Sequence, residues 1–498
     1  MMPATLSTGL MDTPLAATDT IGNTAVIRIA AARRMQRISV GSLVVAGCLS
    51  LLLVFGRIPG IAEAIGDPLF FKRCLVVHVD LALVVWFATQ AGTLFALLPA
   101  TRREHRIFNA GTAIAVAGVL LMMGAALARG AAPVLSNYVP VIAHPVFLVG
   151  VALFFGGMLG CFLNGRLFRP IAPASAADIA RNPLWVPPEV AAGLKTSALA
   201  YLVAMVSFVA SWLATPAFLD NRNYYELVFW GGGHVLQVAN VAAMLAVWLW
   251  LLASVLKRPV MRPSTSWLLF GLLLAPHLVG PALARNGTTG SEYRLGFTRL
   301  MQFGIAPVVL VMLGICGVEL RRAFADGRLR RRDWRDPRLV GFALSAAMMV
   351  AGFLLGAVIR TSTTVIPAHY HASIGAVTMA FMAITYQLLG PLGFQDGPAR
   401  FPRLVPLQLA CFGLGQVVFA LGFGWAGLNG AGRKAYAAEQ HVRSAGEYAG
   451  LLVMGLGGVI AIVGGLLFLG LVIGSWRRRR GPSHGPLPTE TQPLTHGL

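Results

Sequence analysis

The apolar residues of this chain come in long unbroken runs, not at the three-to-four spacing of a helix with one wet face, and this pattern restricts the fold more than any other feature. Twelve runs stand out, at 38–56, 74–99, 108–128, 142–164, 196–215, 226–256, 266–284, 300–320, 339–359, 363–390, 403–424 and 448–475. Each holds about 18 to 30 residues, which as a helix rising about 1.5 Å per residue crosses a hydrocarbon layer of ~30 Å. Backbone polar groups find no water in that layer, so they must bond within their own helix. With 56% hydrophobic and only 12% charged residues, the chain is expected to be an all-α polytopic membrane protein, a bundle of twelve transmembrane helices.

The net charge of +21 points at first to an acidic partner such as nucleic acid. The basic residues instead alternate by loop, with 28 Lys and Arg on the segments of one side and 12 on the other. That is the asymmetry of membrane topology. It predicts a multi-pass protein of the inner membrane with both termini in the cytoplasm, and no nucleic-acid partner. The runs RREHR at 102–106, RLRRRDWR at 328–335 and RRRR at 477–480 then meet anionic membrane lipid. Three regions follow: a disordered cytoplasmic tail over 1–37, a twelve-helix membrane catalytic domain over 38–475, and a basic, Pro/Gly-rich cytoplasmic tail over 476–498. The first run follows RRMQR at 33–37 without a small-residue cleavage pattern and reads as an uncleaved anchor. Cys48, Cys74, Cys161, Cys316 and Cys411 lie in separate runs without Cys-x-x-Cys spacing and read as packing residues.

Six of the ten histidines stand in or beside the runs: His78, His144, His234, His277, His369 and His371. Counted from the flanking charges, all but His144 fall about 8 to 17 Å below the outer boundary, one layer spread over four helices. A lone imidazole on an apolar helix is commonly a hydrogen-bonded packing residue. Five at one depth point to ligation of haem iron or copper by neutral imidazole. In IPAHYHASIGAVTMAFMA at 366–383, His369 and His371 project about 200° apart, so they suit two cofactors, one on each side. The glycines at 231–233 remove side chains that would block a flat ligand or a neighbouring helix ahead of His234. His144, placed before Pro145 at a helix start, reads as interfacial.

Taken with the histidine of VVHVDLALVVWF at 76–87, the His-x-His of the tenth run resembles subunit I of the haem-copper oxidase superfamily, and the resemblance extends over all twelve runs. It implies a low-spin haem b held by His78 and His371, and a high-spin haem held by His369. FWGGGHVLQ at 229–237 is similar to the family's sixth helix, and LLAPHLVGP at 273–281 to the seventh helix of the C-type oxidases. These imply His234 and His277 as ligands of a second metal, copper or non-haem iron. Where the family has a further histidine, this chain has Leu278, so water, an external ligand or a carboxylate must complete the site; Glu292 is one such carboxylate. GLNGAGRKAY at 427–436 looks like the family's paired-basic loop, which implies Arg433 and Lys434 as partners of the haem propionates.

The resemblance implies a haem-dependent oxidoreductase of the respiratory chain that reduces a small diatomic gas. The family's oxygen reductases keep a tyrosine beside the second metal on the sixth or seventh helix, and none lies within 226–284 here. Reduction of NO to N2O needs no such residue, although Val238 stands where nitric oxide reductases carry a carboxylate. The inner halves of the runs offer Thr89, Gln90, Thr93, Thr378, Thr385, Tyr386 and Gln387 but no carboxylate chain, and Asp80 is the one acid of the second run. Proton pumping is therefore not expected. NO reduction is favoured; the alternatives are a cytochrome c oxidase-type terminal oxidase reducing O2 to water, or a non-catalytic haem-binding membrane protein or transporter. Electrons are expected from a partner subunit carrying haem c or copper, or from a quinol.

Overall fold

The structure is a computed structural model that describes residues 15–56, 65–171, 184–395, 397–433 and 442–476. Among these residues, twelve helices are long and apolar enough to cross a membrane. They are α1 (Leu15–Phe55), α2 (Phe70–Ala96), α3 (Arg102–Ala125), α4 (Pro145–Phe162), α5 (Pro188–Ala214) and α6 (Asn221–Leu256). Then come α7 (Pro263–Leu283), α8 (Ser291–Ala325), α9 (Pro337–Ala357), α10 (Val365–Leu389), α11 (Leu404–Leu428) and α12 (Ala445–Trp476). The chain is an all-α polytopic membrane protein, with one short hairpin, β1 (Ala132–Val134) against β2 (Val141–Ala143), between α3 and α4.

The expected disordered tail over 1–37 needs correction. Helix α1 begins at Leu15, and Ala31, Ala32, Met35 and Gln36 are buried. Its arginines find carbonyls at the adjoining turns: Arg28 bonds Leu97 O at 3.2 Å and Arg33 bonds Leu392 O at 2.6 Å. Those bonds let the helix run past the apolar segment. Residues 1–14 and 477–498, and with them nearly all of the second expected tail, lie outside the described residues.

An even number of spans brings the start of α1 and the close of α12 to one end of the bundle, here the terminal end; the other is the histidine end. Several helices are capped by their own sequence. Thr101 and Glu104 form a reciprocal capping box at α3, and Asp220 and Asp336 accept from the first N–H groups of α6 and α9. Packing between consecutive antiparallel helices rests on glycines spaced by seven. Gly111 and Gly118 of α3 face Gly157 and Gly150 of α4, and Gly415 and Gly422 of α11 face Gly457 and Gly450 of α12. At Gly118 and Gly422 an added Cβ would lie 2.4 Å from a backbone nitrogen of the partner helix, so the helices touch backbone to backbone.

The three most enclosed helices each carry histidines of the layer. The apolar window of α6 is 89% buried, that of α10 78% and that of α2 72%, against 22% for α1 and 28% for α12. The bundle thus places His234, His369, His371 and His78 on its inner ring and leaves the glycine-seamed pairs outside.

Candidate functional site

Four histidines share one arrangement. The Nδ1 of His78 lies 2.8 Å from Ala46 O of α1, that of His234 2.7 Å from Trp230 O, that of His277 2.9 Å from Leu273 O, and that of His369 2.7 Å from Gly352 O of α9. A carbonyl only accepts, so each Nδ1 carries the hydrogen and, in the neutral ring, Nε2 keeps its lone pair. Pinning one nitrogen to a backbone carbonyl is how metal-binding imidazoles are oriented. Two rings also need bare backbone beside them. A Cβ on Gly304 of α8 would sit 2.5 Å from His277 Cε1, and one on Gly356 of α9 would sit 2.8 Å from His369 Nδ1.

Helices α2 and α10 fix the level of His78 and His371. Gln90 Nε2 donates to Thr385 Oγ1 at 3.3 Å, and the Trp86 and Phe87 rings meet Phe381 edge-on. Counting back along both helices, which run the same way, His78 falls within two residues of the level of His371, about 3 Å along the axis. His369 faces α9 through Gly352, whereas the His371 ring lies 4.8 Å from that of Phe419 on α11. The pair thus projects to opposite sides of α10, as its spacing requires. Neither His371 nitrogen has a hydrogen-bond partner among the described residues. The continuous apolar core takes in α10 from Ala376 onward. Nearer the histidines, Ala368 and Ala372 join only a small cluster with Leu355 and Ala420. Two imidazoles at one level on α2 and α10, the His371 ring bordered by Tyr370, Phe419 and Phe423, fit ligation of haem between the two helices.

At the second-metal position the structure differs from the reading of the motif. Leu278 lies on a 3-10 turn, Ala275–Val279, and its side chain is 57% exposed on the outside of the bundle, so a residue at 278 does not face His234 at all. His277 does face inward: it is 1% exposed and its Nε2 is buried without a partner. Helix α8 adjoins both imidazoles, through Gly304 at His277 and through Phe297, whose ring lies 5.9 Å from that of His234. The three glycines before His234 are covered by aromatic rings: Tyr293 and Phe297 over Gly231, Phe208 over Gly232 and Tyr138 over Gly233. Close packing accounts for them. Glu292 is exposed in the first turn of α8 and does not complete the site.

Tyr138 is the residue that the sequence reading missed. It belongs to the loop between β1 and β2, with φ at +68°, a value unusual for a bulky side chain. Its hydroxyl lies 3.0 Å from His234 Nε2, and its ring lies 4.6 Å from the imidazole. Burial first, and then the Glu226 carboxylate, push the phenol above its ordinary range, while Arg433 draws it back. The phenol therefore holds its proton and donates it to His234. Asn137 anchors the loop: its backbone N–H and its amide donate to Glu226 on α6, and Arg433 Nη2 donates to Asn137 Oδ1 at 2.5 Å.

Arg433 is further tied to the start of α10 through Ser362 O, while Lys434 lies outside the described residues. Asp80 opens a π-helical stretch, Asp80–Val85, within α2; it is fully buried, and neither carboxylate oxygen has a hydrogen-bond partner among the described residues. A π segment inside an α-helix is a frequent companion of functional sites. His144 caps α4, accepting from Val146 N at 3.3 Å, as an interfacial residue does. In the halves toward the terminal end, Thr89, Thr93 and Thr385 bond to their own helix carbonyls, and Gln36 and Gln90 both donate to Thr385.

No protein-family model matches the chain. It is similar to a protein of Aquifex aeolicus, 29% identical over 384 residues, covering 74% of this chain and 88% of the relative. A protein of Rickettsia prowazekii is 23% identical over 498 residues, covering 87% of this chain and 93% of its own. Both are described only as uncharacterized proteins, so the similarity spans the bundle without carrying an activity.

Proposed function

We propose that this chain is a haem-bearing electron-transfer subunit of the haem-copper oxidase kind, set in the inner membrane with both termini in the cytoplasm, and that it reduces NO to N2O. The observation that carries the reading is the shared tether of His78, His234, His277 and His369, each with Nδ1 held by a backbone carbonyl, which leaves Nε2 with its lone pair, met at His234 by the Tyr138 hydroxyl. Four such rings, three of them on the most enclosed helices, exceed what packing alone requires.

In this reading His78 and His371 hold a low-spin haem b, His369 holds a high-spin haem, and His234 with His277 hold copper or non-haem iron. Those groups, when bound, carry electrons and bind the gas. The chain's own residues do the rest. The carbonyl tethers set ring orientation, and Phe208, Trp230 and Phe297 keep water from the His234 side. Arg433, with donors beyond its bond to Asn137, is placed to meet anionic propionates. The reaction 2 NO + 2 e⁻ + 2 H⁺ → N2O + H2O takes its electrons from a partner subunit carrying haem c or copper, or from a quinol.

One observation favours the second reading, reduction of O2 to water. The tyrosine missing from 226–284 is supplied by Tyr138 on His234 Nε2. Against it stands the absence, among the described residues, of a third imidazole or carboxylate grouped with His234 and His277. The test is a reduced-minus-oxidised spectrum of the purified protein with and without CO, together with metal analysis. Low-spin b-type bands and a CO-sensitive species support the reading; a preparation without haem absorption, carrying the chain in full yield, sinks it and leaves a transporter.

A further inference from the structure

We propose that the Tyr138 phenolic oxygen is the third protein ligand of a divalent metal ion held by His234 and His277. The proposal rests on the reading of those two histidines as metal ligands and deepens it. Among the described residues no third His, Cys, Asp or Glu gathers with them, and the position next to His277 in the chain, Leu278, faces out of the bundle. A third protein donor would come from another residue type and another part of the chain.

Tyr138 meets the requirement in three respects. Its Oη lies 3.0 Å from His234 Nε2. Two donors each about 2.0 Å from one ion, at an angle between a right angle and the tetrahedral one, stand roughly 2.9 to 3.3 Å apart, so this spacing suits a shared ion as well as it suits a hydrogen bond. The residue is held at φ +68°, a conformation that is strained in a residue with a bulky side chain and persists where the surroundings impose it. Here they do: Ser136 Oγ bonds Val139 O at 2.6 Å on one side, and Asn137 is clamped by Glu226 and Arg433 on the other. The His277 Nε2 is buried without a hydrogen-bond partner among the described residues, beside Gly304 of α8. In coordination the ion takes the place of the phenolic hydrogen, which leaves as H⁺, and oxygen and the two nitrogens become its donors.

Zinc(II), which has no redox chemistry of its own, is the probe. The haem-loaded protein, stripped with a chelator, is titrated with zinc while bound metal and the ultraviolet difference spectrum are followed. The expected result is one equivalent bound together with the band of an ionised phenol. Tyr138→Phe should lose the band and bind at least tenfold more weakly, with visible spectrum and elution volume unchanged. Zinc bound by the wild type without the band, or bound equally well by Tyr138→Phe while His234→Ala and His277→Ala weaken it, overturns the role of Tyr138 and leaves the histidine pair intact. Zinc uptake that is unaltered in His234→Ala and His277→Ala overturns the pair as well.

Discussion

An imidazole inside a membrane bundle is stable only when its polar atoms are used, and here Nδ1 of each tethered ring is held by a carbonyl, while Nε2 is met by a protein partner at His234. Separate outcomes follow for the two histidines of α10. In the proposed reading His371 and His78 both hold the low-spin haem, so in His371→Ala or His78→Ala the low-spin bands should vanish while CO binding survives at least in part. His369→Ala should do the reverse, because it removes the only protein ligand of the CO-reactive haem. Low-spin bands unchanged in the first pair, or CO photochemistry unchanged in the second, would show the assignment to be wrong. The common level of His78 and His371 was legible in the sequence because helical rise converts residue number into depth. Tyr138 was not, since a loop has no such rule: its reach to His234 depends on a positive φ and on Asn137 anchoring to Glu226, neither of which is written in local spacing. The motif at Leu278 misled for a related reason, because the 3-10 turn around it rotates that side chain out to the lipid side.

Helices α11 and α12 touch through glycines seven apart, a period that keeps small residues on one seam of two gently supercoiled helices. A methyl group at Gly422 would lie 2.4 Å from Met454 N and 2.8 Å from Gly450 O. Gly422→Ala should therefore push the helices apart and cost about 2 kcal/mol, read as a lower thermal midpoint in detergent. Gly455→Ala and Gly465→Ala, where nothing stands within 4 Å, are the controls and should not lower it. Equal losses at all three positions would mean that the seam contributes nothing. A second element-scale outcome concerns the histidine end of α2, where buried Arg73 bonds Asp67 and the carbonyls of Ala126 and Ala131, joining α2 to the loop after α3. The Arg73 guanidinium holds the Asp67 carboxyl below its usual range. A depressed carboxylate stabilises the fold above its unfolded pKa and loses that contribution as pH falls through the folded value. Thermal stability should thus fall on acidification below about pH 4, and Asp67→Asn should flatten that part of the profile; an identical slope in the variant would exclude the pair as its source. The seven-residue glycine spacing could have been read from the sequence beforehand, as the apolar runs were. The early start of α1 could not, because it depends on carbonyls of distant turns at Leu97 and Leu392 accepting from its arginines.

Across the whole bundle, polarity is distributed unevenly between the two ends, and this bears on which gas is reduced and where its protons come from. On the histidine side Glu226, Asn137 and Arg433 bond to one another in the loops, and the neighbouring Tyr138 reaches His234. On the terminal side Gln36, Ser39, Gln90 and Thr385 bond to one another, and among the described residues no carboxylate joins that group. A pump needs acceptors leading in from the terminal end that exchange protons with the site, and hydroxyls and amides closed into their own hydrogen bonds do not supply them. Protons consumed in the reaction should therefore enter from the histidine end. The missing third imidazole weakens oxygen reduction more than NO coupling, since joining two NO molecules does not require breaking an O–O bond in one multi-electron step. Tyr138 pulls the other way only if it is free to give up its hydrogen to a substrate, and a phenolic oxygen committed to a metal is not. In sealed vesicles supplied with reductant, the complex should consume NO faster than O2, without ejecting protons, and its rate should follow the pH on the histidine side. Paired NO and O2 electrodes on one preparation decide the matter: brisk O2 uptake without NO turnover, or net proton ejection during turnover, would overturn the NO reading and restore an ordinary terminal oxidase.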